Sequence, residues 1–308
     1  MTLKIACVQS DIIARNPEEN FKHLDEVFTR IQDDRDIIIL PETFTTGFPA
    51  EAELFAEDEN GATMTWLRKK AKERNCVICG SFITSFVSQQ DNKTTGQQAK
   101  ANHNTLIWMN PDGSYHAYNK RHTFMGGEKE LDCGQELITI NYKGWKIRPF
   151  ICYDLRFPVW LRNSFKEGEF AYDLAILIAN WPQPKAYIWN TLLSARAIEN
   201  QAYFIGVNRV GIDHNKVPYI GETKIVNAKG RTVAELTGAT EDILEAEIDM
   251  ESLDTILELP IGVYTKDSYN VEKARKIHGN KFDYSKVVII ITKHYDVVAK
   301  KIGDDLHR

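Results

Sequence analysis

Short apolar runs that stop abruptly constrain this chain more than any other feature. They are Asp36 to Leu40 (DIIIL) before Pro41, Cys76 to Ile83, Trp145 to Ile151, Asp173 to Ala179 (DLAILIA) before Asn180-Trp181-Pro182, and Tyr203 to Asn208. Runs of this kind read as strands buried in a sheet, and a proline ends one because it donates nothing to the ladder and restrains the residue before it. A first strand is expected over Leu3 to Ser10. A helix should follow, with Asn16 as cap, Pro17 at its first position, Glu19 three residues on, and Phe21, Leu24, Phe28 and Ile31 at helical spacing. Further helices are expected over about 64–74 and 185–200. The strands 104–109 and 114–119 pair across the turn Asn110-Pro-Asp-Gly113, and a second hairpin turns near Ala228-Lys-Gly230. The stretch from Ser88 to Ala101, polar and glycine-containing, reads as an exposed excursion. Strands that alternate with helices yet also form hairpins predict an α/β layered sandwich with mixed sheets.

The 308 residues suffice for one large domain plus an appendage. No apolar run approaches the length of a membrane span, and Met1 to Ile13 lacks the basic and long apolar regions of a secretory signal. Five cysteines, an odd number without export signals, point to free thiols and a cytoplasmic location. A net charge of -5 offers no overall attraction to nucleic acid or membrane. The end of the chain differs: residues 266–308 hold ten Lys and Arg against six Asp and Glu, and the residues before them carry the negative balance.

Three reactive side chains fall just past expected strand ends: Glu42 after DIIILP, Lys120 after SYHAYN and Cys152 after KIRPFI. Ligand crevices of layered α/β folds form at such ends. Together the three suit hydrolysis of a carboxamide. A thiol attacks as thiolate and needs a base within reach, a role open to Glu42. The oxyanion of a tetrahedral intermediate needs a fixed cation or N–H, a role open to Lys120. Taken singly, a glutamate or lysine after a strand is ordinarily a solvated loop residue, and a cysteine there is ordinarily a small core residue.

The wording around these residues resembles the nitrilase superfamily: LPETFTTGF around Glu42, YNKRHTF around Lys120 and ICYDLRFPVWLRN around Cys152. YDLAILIANWP, LLSARAIENQAYFIGVNRVG and YIGETKIVNAKG extend the likeness from about Lys4 to about Leu259, and within the superfamily it is greatest to the omega-amidase branch. The resemblance implies an αββα sandwich, often a homodimer, with a Glu42–Lys120–Cys152 triad and no metal or organic cofactor. It implies a small amide and water as substrates, attack by Cys152 to give a thioester, and an oxyanion site shared by Lys120 and the backbone N–H of Tyr153. It also implies a second glutamate after the lysine, for which Glu128 is the first candidate and Glu130 the alternative, because Met125 to Gly134 is shorter than usual for the family. A small dicarboxylate monoamide such as 2-oxoglutaramate or 2-oxosuccinamate needs a cation for its free carboxylate. Arg156 is near enough in sequence to the nucleophile to be the candidate, unless it is a structural partner of Asp154 or a nearby carboxylate. Phe44, Trp181 and Pro182 are candidates for the pocket wall. Deaminated glutathione, N-carbamoyl compounds and nitriles are the alternative substrates, and a catalytically silent binding protein is the alternative class.

Other patterns carry less. The Cys76/Cys79 pair lacks the second half of a zinc site, and on a strand residues three apart face opposite sides. His122 belongs to the lysine motif of the family rather than to a Cys–His dyad, Gly126-Gly127 lacks any phosphate-loop frame, and Arg196 and Glu199, three apart on a helix, read as a structural ion pair rather than a catalytic one. The domain is expected to span 1–259, leaving 260–308 as a basic extension with a β-branched run at Val287 to Ile291. Too small to fold alone, that extension is expected to be an interaction segment, a weak nucleic-acid contact or a passive fusion.

Overall fold

A computed structural model describes residues 1–48, 51–85, 101–166 and 169–254. The expected excursion at 88–101 falls almost wholly outside these residues, and the 260–308 extension falls wholly outside them.

Among the described residues two six-stranded sheets form the body of the fold, with two small two-stranded ones beside them. In the first the order is Asp242–Asp249, Thr2–Gln9, Ile37–Ile39, Val77–Thr84, His103–Met109, Tyr115–Asn119. The second runs Thr232–Glu235, Lys224–Val226, Tyr203–Asn208, Leu174–Ala179, Trp145–Ile151, Ile140–Tyr142. Each has three parallel strands at its centre and antiparallel strands outside them, the mixed arrangement expected.

Period-two alternation sorts the side chains between layers. Leu3, Ile5, Cys7, Ile37, Ile39, Val77, Cys79, Leu106 and Trp108 turn to one core, which they share with Ile147, Phe150, Ile176 and Ile205 of the second sheet. Ala6, Val8, Ile38, Leu40, Ile78 and Ile107 turn the other way, against helices Pro17–Phe28 and Ala62–Arg74. Helix Ala186–Asn200 buries Trp189, Leu193 and Ala197 against the second sheet. The layers are therefore helix, sheet, sheet, helix. The same alternation separates Cys76, in the helix-side core, from Cys79, between the sheets, and all five cysteines are free thiols.

Local signals behave as the sequence predicts. Asn16 accepts a hydrogen bond from the Glu19 N–H at 3.2 Å, and Pro17 opens the helix. Arg196 and Glu199 pair at 3.1 Å. Among the described residues no helix is long and apolar enough to cross a membrane.

Topology explains which residues meet. The central strands of the first sheet run parallel, so Glu42, just beyond Ile39, lies at their carboxyl edge. Strand His103–Met109 reverses direction and Tyr115–Asn119 reverses it again, which brings Lys120 back to that edge. Asn104, near the start of the reversed strand, arrives there too. In the second sheet Cys152 and Asn180 follow the ends of parallel neighbours.

Candidate active site

Lys120 is the hinge of the site. It is 1% exposed, and its Nζ donates to Glu42 Oε1 and to Glu128 Oε2, both at 2.7 Å. Asn104 Nδ2 bridges the same carboxylates, at 2.9 Å to Glu42 Oε1 and 2.8 Å to Glu128 Oε1. The backbone N–H of Asn180 donates to Glu42 Oε2 at 2.7 Å, and that of Phe124 to Glu128 Oε2 at 2.7 Å. Burial alone would lower the lysine pKa, but the charges of Glu128 and Glu42 outweigh it and hold the ammonium protonated. Burial raises the pKa of Glu128 against the opposing pull of Lys120.

The loop from Lys120 to Gly134 delivers Glu128. It closes where the Gly134 N–H meets the Lys120 carbonyl at 2.8 Å, and a Cβ at Gly134 would sit 2.1 Å from the Asn119 carbonyl oxygen, so the return path needs glycine. Of the two glutamates considered from sequence, Glu128 is 1% exposed and Glu130 faces solvent.

Cys152 sits at the junction of strand Trp145–Ile151 and the 3-10 turn Cys152–Arg156, with φ at +42°. A side chain that is not glycine in this region stores on the order of 1 to 3 kcal/mol and persists where its surroundings enforce it. Burial pushes the thiol pKa well above its usual value, the charge of Glu42 pushes it further, and Lys120 pulls it back. The sulfur lies 4.0 Å from the Asn180 carbonyl oxygen, on the residue whose N–H holds Glu42.

Asp154 enforces that junction. Fully buried, it accepts from Tyr118 Oη at 2.7 Å and Ile151 N at 3.1 Å, and from His122 through N at 3.0 Å and Nδ1 at 2.8 Å. The lysine loop and the cysteine turn are thereby tied to one carboxylate, and His122 also stacks on Phe157 at 3.6 Å. Asp154→Ala strands four donors, those of Tyr118 and Ile151 buried and the two of His122 half-buried; urea denaturation is expected to show a loss of about 2 to 4 kcal/mol.

The site opens into a cavity of about 460 Å³. Lys120, Cys152, Asn180, Tyr153, Arg156 and Trp181 all line it, with Pro182 beside them. Arg156 does not pair with Asp154. Its guanidinium lies over the rings of Tyr153, at 5.9 Å, and Trp181, at 5.5 Å. Phe44, expected in the wall, is absent from it. Its ring fills the slot over Gly80, where a Cβ would meet it at 2.9 Å, and packs against Trp66 in the helix-side core. Phe48 and Phe124 form the wall instead, with ring centroids 6.1 Å apart.

Sequence reasoning did not single out Asn104 or the side chain of Asn180. Asn180 Nδ2 donates to the Glu42 carbonyl at 2.9 Å and to Thr43 Oγ1 at 2.7 Å, fixing the turn that presents Glu42. Asn180 was visible as the residue that ends DLAILIA; Asn104 gave no local signal, because it begins a strand.

Comparison with known proteins matches the carbon-nitrogen hydrolase family model to residues 4–256. The chain is 36% identical over 255 residues to the omega-amidase YafV of Escherichia coli strain K12, covering 82% of this chain and 91% of that protein. It is 31% identical over 255 residues to the 2-oxoglutaramate amidase of Bacillus subtilis, covering 82% and 92%. The crystal structure of XC1258 from Xanthomonas campestris, a CN-hydrolase superfamily protein with an arsenic adduct in its active site, superposes with a TM-score of 0.75 at 32% identity, covering 92% of this chain and 99% of that one. A family match across most of the chain, on two sheets between helix layers, makes this protein a member of the carbon-nitrogen hydrolase family, an amidase of the nitrilase superfamily.

Proposed function

We propose that the protein is an omega-amidase that releases ammonia from small dicarboxylate monoamides, such as 2-oxoglutaramate or 2-oxosuccinamate, through a thioester on Cys152. The observation that carries this reading is the buried Glu42–Lys120–Glu128 cluster beside Cys152, opening on a cavity whose wall holds the guanidinium of Arg156. The names of the relatives in Escherichia coli and Bacillus subtilis agree with it.

Glu42 acts as the general base. Its Oε1 is occupied by Lys120 and Asn104, whereas Oε2 accepts only the Asn180 N–H among the described residues, which leaves a lone pair for the thiol proton. Because burial keeps the thiol protonated, proton transfer to Glu42 accompanies attack of the sulfur on the amide carbon. The carbonyl electrons move to oxygen, and Lys120 with the Tyr153 N–H stabilises that oxyanion. When the C–N bond breaks, Glu42 returns its proton to the leaving nitrogen and ammonia departs. Water then gives a proton to Glu42 as it attacks the thioester; the C–S bond breaks, the acid is released and the proton returns to sulfur. Glu128 fixes the Lys120 ammonium and Arg156 takes the substrate's free carboxylate. The enzyme works as a cytoplasmic homodimer in this reading.

Ammonia release is measured side by side from 2-oxoglutaramate, 2-oxosuccinamate, a nitrile, an N-carbamoyl amino acid and deaminated glutathione. The two 2-oxo monoamides are expected to give the highest kcat/KM. Turnover confined to the nitrile or the carbamoyl compound overturns the substrate class.

A further inference from the structure

A second cation faces the cavity. Lys185 lines it together with Arg156, and its Nζ lies 4.8 Å from the centroid of the Phe124 ring. Neither cation forms an ion pair with a carboxylate among the described residues, whereas Lys120 is held by two. Asp213 lines the same cavity, where its Oδ1 accepts from Asn215 N at 2.8 Å and Val217 N at 3.0 Å and its Oδ2 from Tyr219 Oη at 3.0 Å, and it forms no ion pair with either cation.

The backbone of Lys185 is also held in place. It closes the 3-10 turn Gln183–Lys185, its N–H donates to the Pro182 carbonyl at 2.9 Å, and its own carbonyl accepts from Trp181 Nε1 at 2.8 Å. Trp181 is the ring that supports Arg156. One indole therefore fixes the backbone of one cation and the headgroup of the other.

We propose that Lys185 is a specificity residue that reads a carbonyl oxygen next to the distal carboxylate, so that the cavity selects 2-oxo acids. The proposal rests on the amidase reading of the same cavity. A guanidinium fork matches a carboxylate through two parallel hydrogen bonds, while an ammonium is a compact point charge suited to a single oxygen. In a 2-oxo acid the carboxylate and its neighbouring carbonyl present oxygens on one edge, which the two cations of one cavity read together. A 2-amino acid brings an ammonium to the place of that carbonyl, against Lys185, and is rejected by like-charge repulsion.

The test reads binding rather than turnover. Protection of Cys152 from iodoacetamide, followed by mass spectrometry, gives apparent Kd values for 2-oxoglutarate, glutarate and glutamate in the full chain and in Lys185→Met and Lys185→Arg. Lys185→Met is expected to weaken 2-oxoglutarate by about tenfold or more, the effect of a lost charge-assisted hydrogen bond, while changing glutarate much less and narrowing the gap to glutamate. Lys185→Arg restores most of the preference. Equal weakening of 2-oxoglutarate and glutarate, or no change in either, overturns the proposal. Intact 2-oxo selectivity in a protein that releases ammonia from no amide overturns the amidase reading alone.

Discussion

Cys152→Ala is expected to lower ammonia release from the best amide by at least about 10⁴-fold, the scale on which loss of a covalent nucleophile is felt. Alanine keeps the φ of +42° available at much the same strain and removes only the sulfur, so the fold should hold within about 1 kcal/mol of the parent. Activity and urea denaturation measured on the same preparation separate the two effects. Residual turnover within tenfold of the parent would rule out the thioester, because the four remaining cysteines lie elsewhere: Cys7, Cys76 and Cys79 are buried in the cores and Cys133 is exposed on the loop that ends at Gly134.

Lys120→Met is expected to abolish activity and also to destabilise the protein by about 3 to 5 kcal/mol, since it leaves Glu42 and Glu128 buried without their cation. The loss should depend on pH in a definite direction. Burial already raises the Glu128 pKa above 4.5, and Lys120 is the strongest influence that lowers it. Without the lysine, the folded state holds the Glu128 proton at pH values where the unfolded chain has released it. Stability from that proton is complete below the unfolded pKa and is lost as pH rises through the folded one. The deficit relative to the parent should therefore grow from about pH 5 to about pH 8 in denaturation measurements. A deficit that shrinks over this range would show that Lys120 does not neutralise the carboxylates.

Much of the site was legible without coordinates because the wording around Glu42, Lys120 and Cys152 resembles a known superfamily, where strand-end position alone would have left each an ordinary loop or core residue. Glu42, Lys120 and Cys152 all follow strand ends, and the structure gathers them, with Lys120 and Cys152 in the cavity wall and Glu42 buried behind, hydrogen-bonded to Lys120. The second glutamate could not be settled from spacing: Glu128 and Glu130 lie on a loop without periodicity, and only the hydrogen bonds to Lys120, Asn104 and Phe124 N–H distinguish them. Phe44 misled for a related reason. Its neighbourhood in sequence is the glutamate motif, but the vacancy over Gly80, a residue on another strand, draws its ring into the opposite layer.

The sequence by itself determined the central strands of both sheets and the opposite facing of Cys76 and Cys79, because these depend on neighbours along the chain; the edge strand Asp242–Asp249 carried no such signal. Only the tertiary structure decided that Asn104 spans the two carboxylates, that Asn180 holds Glu42, and that Trp181 supports Arg156 and fixes the turn of Lys185. Those contacts depend on strand direction, register and the facing of two sheets, and no local pattern of residues encodes them.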